Sequence, residues 1–294
     1  METLQNCPAC GASEMTTHLQ AKDYTVSKNT FNIVRCSACD LLFTNPRPEA
    51  EQAGYFYQSE NYISHSNTQK GFINKLYHAV RKITLKQKTN LIQGEQQGTK
   101  NLLDIGCGNG HFLHACQQDG WNTFGMELDP ETAARAAALT GQNIFPNLQA
   151  IPEEPQFELI SLWHVLEHVY EIDAYFEFFK KRINPTGKLL LALPNSKSFD
   201  ADYFKEFWAA YDVPRHIYHF NPETIQSIAK KHGFKLAKQH GQIFDSFYIA
   251  LLSHEYKTGS KKLIASFFVG LWSNLIAYFK TGNYSSNIYI FEHA

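Results

Sequence analysis

Apolar and polar positions follow different rhythms along this chain. Between two cysteine pairs near the N-terminus they alternate, with Tyr24 and Val26 and then Phe31 and Ile33 spaced two apart, as in strands with one buried face. Thr44-Asn-Pro-Arg-Pro48 then stiffens the chain, and a run with Tyr55, Tyr57 and Tyr62 follows. From Gly71 to about Gln93, Phe72, Leu76, Val80, Ile83 and Leu91 recur at near-helical spacing with lysines and arginines between them. That spacing predicts an amphipathic connecting helix, ended by the Gly94-to-Gly98 loop. Asn101–Ile105 is an unbroken run typical of a buried strand, and Trp121–Met126 predicts a second.

A different pattern closes the chain. Leu263–Phe279 is a 17-residue stretch bracketed by Lys261, Lys262 and Lys280, a little short of the roughly 20 residues of a membrane span. On a helix, Ser266, Gly270, Ser273, Asn274, Ala277 and Thr281 fall within one arc of about 100°, and the remainder is apolar. So wide an apolar face needs cover from the domain itself, a second subunit or a membrane surface. Self-packing or a homodimer is the first expectation, peripheral membrane contact the second, and a true span the third.

Composition narrows the classes. Apolar residues at 44% and charged residues at 19% can fill a core, and 294 residues suffice for one good-sized domain plus a small satellite. A formal net charge of −1 lacks the basic excess of nucleic-acid binders, so nucleic acid is not the expected partner. The opening METLQNCPAC has no apolar signal core, and a cytoplasmic protein, with membrane association left open, is expected. In that compartment, paired cysteines suit metal better than disulfides. Cys7-Pro-Ala-Cys10 and Cys36-Ser-Ala-Cys39, with 25 residues between them, can each form a knuckle, and two knuckles complete a tetrahedral zinc site. A thioredoxin-like redox pair competes, weakened because there are two pairs and no βαβ context. Residues 1–48 are thus expected to form a zinc ribbon whose structural Zn²⁺ staples a segment with too little core. Recognition of a substrate or partner is the alternative role.

The chemistry is denser after residue 100. Gly106-Cys-Gly-Asn-Gly110 is a glycine turn into a helix starting near His111, where backbone can approach a ligand and the helix end adds N–H donors. Glu127, 21 positions beyond Gly106, ends the second strand where an acidic side chain can accept from both ribose hydroxyls. A dinucleotide site shares these features, but its fingerprint needs Gly or Ala where His111 stands.

Asp104-Ile-Gly-Cys-Gly-Asn-Gly110 instead resembles motif I of class I S-adenosylmethionine (SAM)-dependent methyltransferases, of the bacterial small-molecule and cell-surface type. The resemblance runs from about residue 99 to the C-terminus. Phe157–Val169, ending Val-Leu-Glu-His-Val, is similar to that family's fourth strand and turn, and Gly187–Asn195 to its fifth strand. The resemblance implies a doubly wound, mostly parallel seven-stranded α/β sheet over 99–294, after a linker and helix at 49–98. Ser286–Glu292 is the candidate for the antiparallel last strand, with a hydrophobic helical insert at about 255–282 ahead of it. It further implies SAM as cofactor. Asp104, Gly106, Cys107 and Gly108 would line the methionine end, Glu127 and Leu128 the ribose, and Asn147 and Leu148 the adenine. Trp163 and His164 would lie beside the methionine and sulfonium, with a plain core position as the alternative for Trp163. Glu167 and His168 are expected to structure the turn beneath.

For the methyl acceptor, Trp208–Phe220 lies just beyond the fifth strand, at the sheet edge where such folds bind ligands. A similar Pro-Arg-His-x-x-His-Phe segment occurs in the methyltransferases that the chain resembles. His216 could serve as a base, His219 is a second candidate, and Arg215 could grip an anionic substrate. The bland alternative is a histidine that caps or packs the helix at Asn221-Pro222. The leading function is therefore methyl transfer to a small molecule such as a sugar, lipid precursor or quinone-like ring. An RNA methyltransferase using the ribbon, and a non-catalytic SAM-binding or ribbon interaction protein, are the alternatives.

Overall fold

The computed structural model describes residues 1–58, 72–93 and 100–294, with 72–82 as backbone only. Tyr62, the Gly94-to-Gly98 loop and the side chains of Phe72, Leu76 and Val80 lie outside the described residues. The N-terminal segment forms β1 (Met15–Lys22) and β2 (Thr30–Cys36), followed by the short β3 (Leu42–Thr44). Phe31 and Ile33 lie in β2 as their alternation predicts, but Tyr24 and Val26 do not form a strand. Residues 24–27 turn instead, because the Asp23 carboxylate accepts from the N–H groups of Thr25, Val26 and Ser27. The connecting helix is α1 (Phe72–Gln93). Then come β4 (Asn101–Ile105), α2 (His111–Gln118), β5 (Asn122–Met126), α3 (Pro130–Thr140) and β6 (Ile144–Phe145). They are followed by β7 (Phe157–Trp163), α4 (Ile172–Arg182), β8 (Ile183–Pro194) and α5 (Phe199–Phe204). The two-residue β9 (Tyr218–His219), α6 (Pro222–Lys231) and β10 (Phe234–Gly241) precede α7 (Asp245–Thr258), α8 (Leu263–Ile276) and β11 (Ser286–His293).

Seven strands form one sheet in the order β10-β11-β8-β7-β4-β5-β6, with β11 alone running against the rest. This is the mostly parallel, doubly wound α/β architecture expected. Its central strands are continuous apolar runs because helices cover both faces: Leu102, Leu103, Ile105, Ile160 and Leu162 are all fully buried. Phe176 and Phe179 of α4 and Ile225 of α6 pack on one face, and Phe112 and Leu113 of α2 with Ile92 of α1 on the other. Helix starts follow local chemistry. Asp129 caps α3 with Pro130 at its first position, and Asn221 and Thr224 form a reciprocal capping box on α6.

The ribbon is not a detached satellite. Its sheet has the order β1-β2-β3-β9, so the fourth strand comes from the segment after β8, with Leu42 opposite His219 and Phe43 opposite Tyr218. Thr44 N–H donates to Ile217 O, and the Thr44 hydroxyl to His216 O at 2.9 Å. Cys7, Cys36, Leu41 and Phe43 share one core cluster with Ile217, Phe220 and the large sheet.

Helix α8, prolonged by one π-turn over Ala277–Thr281, corrects the self-packing half of the first expectation for the apolar stretch. The small and polar arc is the side that packs inward. Ser273 donates to Asp200 at 2.8 Å, and the Asn274 amide donates to Ile243 O and to Ser246. Ser266 meets His254 Nδ1 at 3.0 Å, and Gly270 lies against Phe247 so closely that a Cβ there would come within 2.9 Å. Self-packing of the apolar face is thereby ruled out, because the seat is built from hydrogen-bond acceptors that only the polar arc can satisfy. Leu263, Ile264, Phe267, Phe268, Trp272, Tyr278 and Phe279 point outward, Ile264 at 77% and Phe279 at 74% exposure.

Candidate active site

Strand β4 ends in Asp104 and Ile105, and the chain turns through Gly106–Gly110 into α2 at the carboxyl edge of the sheet. Gly106 sits at φ +71°, and a Cβ there would lie 2.4 Å from a Val165 methyl; Gly108, at φ +54°, has open space where a Cβ would be. The loop is thus tight against the protein behind and bare in front, as a ligand cradle needs. Glu127 braces it: one carboxylate oxygen accepts from Gly108 N–H at 3.0 Å, the other from Asp129 N–H at 3.1 Å. Buried Asp104 accepts from the Ser161 hydroxyl at 2.6 Å. Burial pushes its carboxyl up to about 7, restrained by Ser161 and by the ammonium of Lys88.

Trp163, at the end of β7, packs edge-on against Phe112, and Lys88 Nζ lies 3.9 Å over its ring. Its indole N–H is buried and has no hydrogen-bond partner among the described residues, a donor free for a bound molecule. His164 adopts φ +58°, and its ring lies between Glu167 (3.4 Å) and Asp245 (3.3 Å). Burial lowers its pKa, but the two carboxylates outweigh burial and hold it up at about 9. Leu128 is exposed beside Glu127, and Cys107 is buried against Gly125. Asn147 caps the short turn Leu148–Ala150 through Ala150 N–H, while Leu148 packs on the core. The structure therefore brings the loop, Glu127, Trp163 and His164 to one edge. Lys88, Ser161 and Asp245 join them, though sequence reasoning missed all three. Lys88 could have been found: it falls on the same helix stripe as Leu85 and Ile92, where a lone cation needs a reason.

The residues proposed for the acceptor divide. His216 remains near the edge, its side chain 12% exposed, beside Glu167 and His168. Arg215 does not grip a substrate. Its side chain, 1% exposed, donates to Asp212 through Nε at 2.9 Å, to Phe56 O and to Asp23 of the ribbon. His219 is likewise turned away, since a residue on β9 faces the ribbon seam: Nε2 bonds the Thr44 hydroxyl at 3.1 Å and the ring packs on Tyr211. Burial holds it neutral. Both residues join the two sheets instead of facing a ligand.

In the ribbon, Cys7 Sγ lies 3.6 Å from Cys39 Sγ, and Cys10 Sγ 3.6 Å from Cys36 Sγ, all four within 4.8 Å of one another. Zn–S bonds of about 2.3 Å put tetrahedral sulfurs about 3.8 Å apart, so the thiols suit one ion.

The profile of the family described as "Methyltransferase domain" matches residues 77–239, more than half of the chain. The chain belongs to this methyltransferase family. Among curated proteins, the chain is 28% identical over 107 residues to the ubiquinone biosynthesis O-methyltransferase of Erwinia tasmaniensis, covering 34% of this chain and 44% of the relative. It is 25% identical over 141 residues to the protein of the same name from Rickettsia bellii, covering 45% and 59%. The match thus spans about half the length of these relatives. Its fold is similar to that of magnesium protoporphyrin IX methyltransferase from Synechocystis PCC 6803, solved with bound S-adenosylhomocysteine. The TM-score is 0.53 at 14% identity, covering 81% of this chain and 97% of that one.

Proposed function

We propose that the chain transfers a methyl group from SAM to a small, lipophilic acceptor with quinone-like character. The observation that carries the cofactor is the bare-fronted glycine loop braced by Glu127, with the unpartnered Trp163 indole facing the same edge. When bound, SAM supplies an electrophilic methyl on a sulfonium. Asp104 and the loop would hold its amino-acid end, Glu127 its ribose, and Trp163 and His164 would shut water from the sulfonium, so positioning provides much of the rate enhancement. Cys7, Cys10, Cys36 and Cys39 would hold a structural zinc that fixes β3, and through β9 the segment carrying His216. The names of the two curated relatives support a quinone-like ring as acceptor.

A lipophilic acceptor also suits the outward face of α8, which we assign to an anionic membrane surface. The helix is long and apolar enough to cross a bilayer, with mean hydropathy 1.4, but its polar arc is committed to Asp200, Ser246 and His254, which favours lying in the interface. Lys261 and Lys262 precede the apolar face, Lys280 closes it, and no acidic residue interrupts it, the charge pattern that complements anionic headgroups.

Calorimetric titration with SAM tests the first part: saturable binding that Gly106→Arg abolishes supports it, and no binding by folded protein overturns it. Flotation with phosphatidylglycerol vesicles tests the second. Co-flotation lost in Phe268→Asp/Trp272→Asp supports the assignment. A dimer in light scattering without flotation would give the face to a second copy instead.

A further inference from the structure

Glu167 follows β7 in the turn Leu166–His168, and its carboxylate is 1% exposed yet accepts no hydrogen bond among the described residues. Around it stand His164 Nδ1 at 3.4 Å and His216 Nε2 at 4.0 Å, with the rings of His168 and His216 edge-to-face at 4.7 Å. A carboxylate this buried is expensive even with the His164 ring at 3.4 Å as its charge partner, so what else surrounds it matters.

The two histidines are oriented by main-chain carbonyls. Nδ1 of His216 meets Ala210 O at 2.8 Å, and Nδ1 of His168 meets Arg215 O at 3.0 Å, with the Tyr57 hydroxyl also at 3.0 Å. A carbonyl can only accept, so each Nδ1 carries the proton and each neutral ring keeps its lone pair on Nε2. For His216 that lone pair is directed to where Glu167 Oε1 and Asp212 Oδ2 both lie at 4.0 Å. A lone pair facing two carboxylates is repulsive unless a proton or a metal ion lies between them. Imidazoles whose other nitrogen is pinned by a carbonyl are also how proteins hold metal-ligating histidines. One ligand atom each from Glu167, His168 and His216 already lies within 4.8 Å of the other two.

From this geometry we infer that Glu167, His168 and His216 bind a divalent first-row transition ion, separate from the four-cysteine site. Two imidazoles and one carboxylate suit Zn²⁺, Fe²⁺, Mn²⁺ or Co²⁺ and not Mg²⁺, and three protein ligands leave coordination positions open. Through His164 the cluster adjoins Trp163 at the carboxyl edge, so an open position would take water or an oxygen of the acceptor. That role rests on the methyltransferase reading; binding of the ion does not.

The experiment counts ions on the full chain in the absence of SAM. Protein expressed with zinc is dialysed, its zinc is measured by elemental analysis, and Co²⁺ is then titrated while visible absorption is followed. The readout is the difference between wild type and each of Glu167→Gln and His216→Gln, with thermal unfolding confirming that both variants fold. One ion per chain fewer in each variant, as zinc or as Co²⁺, is the expected result, with Co²⁺ affinity at the site reduced about 100-fold or more. Equal counts in wild type and folded variants overturn the proposal. Failure to bind SAM in the separate calorimetry would overturn the methyltransferase reading and leave the ion count standing.

Discussion

Two additions to the seven-stranded sheet, the N-terminal ribbon and the C-terminal helix α8, solve the same packing problem in opposite ways. The ribbon inserts apolar Phe43 and Leu41 into the large core, borrows β9 as a strand and locks Arg215 to Asp23. Helix α8 is held by Ser266, Ser273 and Asn274 and turns its apolar side outward. Apolar surface thus decides where the ribbon sits, whereas satisfied polar groups decide where α8 sits. One addition is part of the fold's stability, and the other spares its hydrophobic surface for something outside the chain.

The largest test of this contrast is removal of the zinc proposed for the four cysteines. Strong chelation, or Cys36→Ser, is expected to lower stability by about 4 kcal/mol or more in one cooperative thermal transition, because the ribbon sheet includes β9. Two separate transitions in calorimetry would make the ribbon a satellite after all.

Next in size is the buried pair across the seam. Asp23→Asn removes the ribbon carboxylate from buried Arg215, while Asp212 stays paired with it, and should cost about 3 kcal/mol in denaturant unfolding. It also carries a pH signature. Although burial alone would raise the Asp23 carboxyl, N–H groups of Thr25, Val26 and Ser27 together hold it well below its ordinary value of 3.8. A depressed native pKa means that its contribution is complete above the unfolded value and fades as pH falls below it. Wild-type stability should therefore drop below about pH 4 more steeply than that of Asp23→Asn; parallel acid curves would contradict this.

Smaller effects come from α8, where the usual rule for amphipathic helices inverts. Ser273→Leu, which removes one of the two hydroxyl donors to Asp200 Oδ1, leaving that of Ser285, and overfills the seat, should destabilise by about 2 kcal/mol. Trp272→Ala, at a residue 56% exposed, should change stability by no more than about 0.5 kcal/mol. If the order of these two melting shifts reversed, the orientation described for α8 would be wrong.

Much was legible from local pattern. The glycine loop, β4, β5 and the two cysteine knuckles follow from short runs whose spacing is a property of neighbouring residues, while the last strand was legible through the family resemblance. The arc on α8 was legible too, as a division of the helix into two unlike faces. Its direction was not, because periodicity states that faces differ and is silent on which side finds partners. Asp200 and Ser246, which select the polar side, belong to other elements. Arg215 shows the same limit: its partner Asp23 lies 192 residues away, and a basic residue in a polar segment looks alike whether it meets a substrate or a buried carboxylate. Glu167 and His168 were expected only to shape a turn, and it is the arrival of His216 from beyond β8 that gathers them into a ligand set. By itself the sequence determined single strands, the cradle and the cysteine cluster, since each is encoded by residues close together in the chain, and it carried the sheet only through the family resemblance of those motifs. Only the tertiary structure decided which polar groups are already satisfied by the protein and which remain for a ligand, because that depends on partners the chain brings together from a distance.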